Sequence, residues 1–181
     1  MSESLISNSV MGRISISDMD RSYYADHQLT IAQHPSENEQ RLMARISAWI
    51  FHASERLEFT RGLSSTDEPE IWEKNDDQSN QLWIELGHPD EKRVKKASTL
   101  SRDVAIYGYQ GRMTAQWWQE RHQHVESFNR VTAYELPEDA IQASAQLLNR
   151  TMKLQATIQD NTLWLSNEEE SIEIERIPLR S

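Results

Sequence analysis

The chain has 181 residues, 37% of them hydrophobic, with 5 Gly, 5 Pro and no Cys. That length suits a single domain over residues 1–181 with a real core, and the absence of thiols excludes disulfides and thiolate metal sites. A net charge of −10 argues against a general nucleic-acid coat.

The first residues, "MSESLISNSVMGR", lack a basic segment followed by an apolar run. No apolar stretch is long enough to span a bilayer, so a cytoplasmic protein with no membrane partner is expected. "RISIS" (Arg13 to Ser17) and "QLTIAQ" (Gln28 to Gln33) alternate as two half-buried strands and predict an N-terminal β-hairpin. "SENE" matches a capping box with Ser36 as N-cap and Glu39 at the third helical position. The helix it opens carries Leu42, Ile46, Trp49, Ile50, Ala53 and Leu57 as an apolar stripe. "DEPEIWEKN" predicts a short helix with Pro69 in its first turn.

From Leu82 strands and helices alternate. "LWIELG" precedes a helix from about Pro89, and "VAIYGY" precedes one carrying Ala115, Trp118, His122 and Val125. "RVTAYEL" precedes a helix from Pro137 to about Asn149. "KLQATIQ" and "TLWLS" form a hairpin through Asp160-Asn161, and "SIEIERI" is a last strand. The class is therefore α/β (or α+β), a mixed β-sheet flanked by helices.

Charge is uneven along this framework. Thr66 to Glu91 holds nine acids and one base, whereas Lys92 to Arg130 holds eight bases and three acids. An acidic block beside a basic one suits a metal site next to a phosphate-tracking or protein-binding surface, though solvated faces of mixed sign give the same pattern. Glu85 stands out, because "LWIELG" carries large apolar residues on both faces and a carboxylate there needs a partner. Three partners are at hand. Asp76 or Asp77, upstream, could join Glu85 on a hard cation such as Mg²⁺. On the following helix Val94, Ala97 and Leu100 share the apolar arc, Lys96 borders it and can reach inward, and Lys92 and Lys95 face away. Arg93 lies inside the arc and could pair with Glu85 directly, with no metal at all.

"HPSE", "ERLEFTRGL", "DEPEIW", "LWIELGHPDEKRVKKA" and "TMKLQATIQDNTLWLS" together resemble the YaeQ family, over essentially the whole chain. The resemblance implies a restriction-endonuclease-like, PD-(D/E)XK core. Such enzymes hold Mg²⁺ with an aspartate on one strand and an acid-x-lysine on the next. On that pattern Asp76 and Glu85 would bind the metal and Glu37 would be the optional helical glutamate. Gly87 stands where the lysine belongs, so Lys96 would have to act in its place, with Asp77, Arg93 and Lys95 in support. Two functions follow from the resemblance: Mg²⁺-dependent phosphodiester hydrolysis on nucleic acid, or a non-catalytic module that keeps the fold and binds nucleic acid or protein through Lys92 to Arg130.

Weaker signals have plainer readings. His122 and His124 point to different helix faces, and Trp118 belongs to the core stripe with Trp117 a step from it. Arg112 and Arg121 read as solvating charges. The chain has no phosphate-binding glycine loop and no serine nucleophile elbow.

Overall fold

The structure, a computed structural model, describes residues 8–60 and 67–180. Its elements run β1 (Asn8–Asp18), β2 (Tyr23–Gln33), α1 (Glu39–Phe51), β3 (Leu57–Phe59), β4 (Ile71–Lys74), β5 (Asn80–Leu86), α2 (Glu91–Leu100) and β6 (Ser101–Gly108). Then follow α3 (Arg112–Glu126), β7 (Val131–Glu135), α4 (Glu138–Ser144), β8 (Thr151–Gln159), β9 (Thr162–Ser166), β10 (Ser171–Glu175) and β11 (Ile177–Pro178). The class is mixed α/β, as the alternating patterns require. The strands divide, however, into two mixed sheets rather than one. The contacts define two compact units, Met1–Phe51 with Asp139–Arg176, and His52–Glu138 with Ile177–Ser181.

The first unit holds a five-stranded sheet in the order β10-β9-β8-β1-β2. β1 pairs antiparallel with β2, as a hairpin must, and parallel with β8 from far along the chain. Ile14, Ile16, Ile31, Leu154, Ala156, Ile158, Leu163 and Leu165 fill its inner face, which is why period-two alternation was legible in these segments. The hairpin between β8 and β9 turns on Asp160 and Asn161, both at positive φ, and Asp20 accepts both of their backbone N–H groups. Those bonds hold the Asp20 carboxyl below its ordinary range. α1 is buried from Leu42 to Phe51, and Trp49 meets His27 of β2 edge-on at 4.9 Å.

The cap of α1 differs from the predicted one. Asn38, not Ser36, accepts the Arg41 N–H, at 2.8 Å. The Ser36 hydroxyl is bonded instead to His34 Nδ1. Glu37 thus precedes the helix.

The second unit holds a six-stranded sheet in the order β11-β7-β6-β5-β4-β3. β5, β6 and β7 run parallel through the crossovers α2 and α3, while β3, β4 and β5 form an antiparallel meander. Trp83, Val94, Ala97, Val104, Ile106, Trp117, Val125, Val131 and Ala133 form the core under the two helices. Gly108 lets α3 close on β6, since a Cβ there would fall 2.5 Å from the Thr114 methyl.

Several local predictions are corrected. The segment read as a short helix around Trp72 is strand β4, because Ile71 and Trp72 are paired on both sides, by β3 and β5. Leu100 ends α2 and is 47% exposed, outside the arc assigned to it. Trp117 is the buried indole and donates to the Pro89 carbonyl at 2.8 Å, with Trp118 only half-buried. The last helix stops at Ser144 and tightens into a 3-10 turn over Ala145–Leu147.

Candidate functional site

Glu85 lies on β5 beside the buried Trp83. Its two oxygens are both engaged. Arg93 Nε donates to Oε2 at 2.9 Å, and Trp83 Nε1 donates to Oε1 at 2.9 Å. Arg93 also donates from Nη2 to the Glu68 carbonyl at 2.7 Å and lays its guanidinium 5.1 Å from the centre of the Trp83 ring. α2 delivers this arginine from its first turn, where Asp90 caps the Arg93 N–H at 2.8 Å. The direct Glu85–Arg93 pairing weighed from the sequence is therefore present.

The acid beside Glu85 is one the sequence reading did not select. Ile71 pairs with Ile84 across the antiparallel β4–β5 ladder, and Glu70 N donates to the Ile84 carbonyl at 3.1 Å. That bond holds Glu70, itself buried and one residue ahead of β4, beside the end of β5 that carries Glu85. Burial pushes the Glu85 carboxyl above its ordinary value and the Glu70 charge adds to this, while Arg93 and the Trp83 N–H pull it back. The signal for Glu70 was the dipeptide Pro69-Glu70 just ahead of two strand formers. Reading that stretch as a helix hid it.

Asp76 is placed elsewhere. It sits in the turn at the far end of the β4–β5 hairpin, where Lys74 pairs with Asn80. Its side chain is 92% exposed and pairs with Arg56. Five residues of β5 separate Asn80 from Glu85, roughly 17 Å of strand. Asp76 and Glu85 are thus at opposite ends of the hairpin and do not form a pair. Asp77 shares the turn and accepts from the Ser79 hydroxyl and N–H, which hold its carboxyl low.

Lys96 points along the exposed border of α2 to Asp67, with Nζ 3.2 Å from Oδ1. The cation that reaches inward is Arg93, not Lys96. Lys92 and Lys95 are exposed, as the helical wheel requires. Glu37 belongs to the first unit, where Arg41 Nη1 lies 2.7 Å from its Oε2 and Arg45 Nη2 lies 2.8 Å from its Oε1. Its carboxylate is thereby matched by two guanidinium groups. Within Lys92 to Arg130, Arg121 pairs with Glu91 and Arg130 with Asp103, while Arg102 and Arg112 are exposed.

Gly87 follows the site at φ +94°, a backbone region that side chains rarely adopt, and beyond its two chain neighbours no atom of the described residues lies within 4 Å of the place its Cβ would take. His88 comes next, its Nε2 2.8 Å from Thr114 Oγ1, and burial holds the ring below its ordinary pKa.

Among the described residues no group of three or more His, Asp or Glu is arranged to hold a metal ion. Glu70 and Glu85 supply two carboxylates. That donor set is all oxygen, and Mg²⁺ is often held by one or two carboxylates together with substrate phosphates rather than by a full protein cage. The residues thus fit a hard cation shared with a phosphate ligand, not an ion held by the protein alone. No helix of the described residues is long and apolar enough to cross a membrane.

These features define a two-sheet mixed α/β protein with a paired, arginine-bound carboxylate site at one end of an antiparallel hairpin. The chain belongs to the YaeQ family, whose model, described as YaeQ protein, matches residues 4–176. It is 45% identical over 162 residues to the YaeQ protein of Salmonella typhi, covering 90% of each chain. It is 43% identical over 161 residues to that of Escherichia coli K12, covering 89% of each. Among solved structures, the YaeQ protein of Xanthomonas axonopodis pv. citri matches with a TM-score of 0.93 and 38% identity, over 97% of this chain and 99% of that one. The YaeQ protein of Pseudomonas syringae matches with a TM-score of 0.91 and 29% identity, over 97% of each.

Proposed function

We propose that the Glu70–Glu85–Arg93 cluster is the site of a divalent-cation-dependent phosphodiester hydrolysis of the nuclease-like kind. The observation that carries this reading is the buried acid Glu70, bonded through its N–H to Ile84 and acting by its charge on the neighbouring Glu85 of β5, with a guanidinium delivered to Glu85 from the next helix. The resemblance to PD-(D/E)XK enzymes implies an acid on each of two successive strands, and Glu70, one residue ahead of β4, takes the place the resemblance gives to Asp76. A bound Mg²⁺ supplies a polarised water and charge neutralisation at the phosphoryl group. The chain's own groups have separate tasks. Glu70 and Glu85 would hold the cation, Trp83 fixes the Glu85 carboxylate through its N–H, and Arg93 offsets the surplus negative charge of the pair. Gly87 leaves open space beside the site for a substrate.

A second reading, a non-catalytic module that retains the fold, is favoured by Gly87 in the lysine position and by the engagement of both Glu85 oxygens. The two readings part in one assay. Single- and double-stranded DNA and RNA are incubated with the wild-type chain and Mg²⁺ or Mn²⁺, with and without chelator. Hydrolysis that stops with chelator, falls about a hundredfold or more in Glu70→Gln and Glu85→Gln, and survives in Asp76→Asn supports the proposal. The absence of cation-dependent products from the wild type, or equal rates in all variants, leaves the non-catalytic reading.

A further inference from the structure

We propose that the outer face of the five-stranded sheet binds single-stranded nucleic acid, stacking bases on Tyr24 and Trp164 and seating phosphate between Arg13 and Lys153. This site lies in the first unit, uses none of the residues of the Glu70–Glu85 cluster, and does not depend on any hydrolysis there.

Strand register carries the argument. Tyr24 pairs with Ser17, Ser17 with Thr157, and Thr157 with Trp164, so a single row crosses β2, β1, β8 and β9 with an aromatic ring at each end. These positions alternate with the buried residues of the same strands and therefore all face outward. Tyr24 is 63% exposed and Trp164 is 37% exposed. Three strand intervals separate them, about 14 Å. The serine and threonine between them are too short to cover either ring. Four residues along β1, Arg13 pairs directly with Lys153 of β8. Like charges on facing strand positions repel, and neither cation has a hydrogen-bond or ion-pair partner among the described residues. A depression of about 190 Å³ opens beside them, lined by Gln28, Thr151 and Met152 as well as by the two cations.

An unshared pair of cations asks for one anion that both can reach, and a phosphate diester meets a guanidinium and an ammonium in that way. Exposed rings on a sheet surface ask for flat faces to stack on, and every base has one. Ser15 and Gln155, in the row between, offer donors and acceptors to base edges. The face also holds three acids. Glu173 accepts the Trp164 Nε1–H at 3.2 Å and so fixes the indole, Glu175 stands opposite Thr162, and Asp26 stands opposite Ser15. All three repel phosphate from the aromatic row, which directs the backbone to the Arg13–Lys153 end. With only two cations and a chain charge of −10, binding is salt-sensitive and of modest strength.

The test is fluorescence anisotropy of a short labelled oligo-uridine and oligo-thymidine titrated with the full chain at low salt. Binding is expected, with a logarithmic salt slope of about −1.4 for two neutralised phosphates on a single strand. Tyr24→Ala and Trp164→Leu are each expected to weaken binding by about tenfold, and Trp164→Phe to retain most of it. Arg13→Ala with Lys153→Ala is expected to flatten the salt slope. Thermal melting of each variant confirms that the sheet is intact. Binding that depends on the cations but not on the rings reveals a mere polyanion surface and overturns the proposal. So does failure of the wild type to bind either oligonucleotide, or retention by a neutral polysaccharide instead.

Discussion

Arg93 governs the state of Glu85. Two carboxylates lie close together at the end of the β4–β5 ladder, and burial alone favours protonating Glu85. Removing the guanidinium leaves Glu85 and Glu70 close together without this charge partner, so Arg93→Ala is expected to lower stability by about 2–3 kcal/mol in urea denaturation. Pairing that change with Glu85→Gln should recover part of the loss, because the neutral amide no longer needs a cation. The pH dependence has a definite sign. The folded chain binds the Glu85 proton more tightly than the unfolded one, so the contribution of this group to stability falls as pH rises from the ordinary carboxylate value through the raised folded value. In Glu85→Gln that fall should disappear, and a slope that persists unchanged would assign it to another acid. The tasks of individual residues were only partly legible in the chain. The inward turn of Arg93 followed from helical spacing alone. The placement of Glu70 did not, because the local signal of Pro69-Glu70 does not name the strand end against which the segment folds.

Elements whose periodicity is carried by several residues were the legible ones. β1, β2, β8 and β9 alternate over five or more positions, β5 and β6 show as apolar runs buried on both faces, and the β8–β9 turn announces itself in Asp160-Asn161. β4 has four residues, too few to show a period, and its flanking acids mimic a helix start. The α1 cap was misplaced by two residues because Ser36, Asn38 and Glu39 offer competing capping chemistries, and only the backbone angle decides among them. α2 is the element on which the site depends most. Its N-cap, Asp90, accepts the N–H of the very residue that holds Glu85. Asp90→Ala is therefore expected to lower stability by about 1 kcal/mol, with Asp90→Ser close to wild type, in equilibrium denaturation. A loss confined to fraying of α2 should also raise the hydrogen-exchange rate of the Arg93 amide, whereas a cap without structural weight leaves that rate unchanged.

At the scale of the whole molecule the chain is interleaved. The first unit takes its sheet from both ends of the sequence, since Met11 pairs with Thr151 and Asp18 with Ile158. The second unit takes its edge strand β11 from beyond the first unit's last strand, with Ile177 on Glu135. No sequence pattern foretold the division into two sheets, because a strand's period does not name its partner. Pairings of such long range slow folding and tie distant segments into one cooperative block. Amides of β1 and β8 are accordingly expected to lose hydrogen-exchange protection together at one denaturant concentration, and separate transitions for the two strands would contradict this. The interleaving also bears on inheritance. The units meet along the chain at three seams, after Phe51, Glu138 and Arg176. A single genetic crossover between two diverged relatives therefore never exchanges one unit intact. A breakpoint anywhere between the two strands joins a β1 from one parent to a β8 from the other, and Ile14 and Ile16 must then pack beside another lineage's Leu154 and Ala156. The two ends of the gene are bound to change in step.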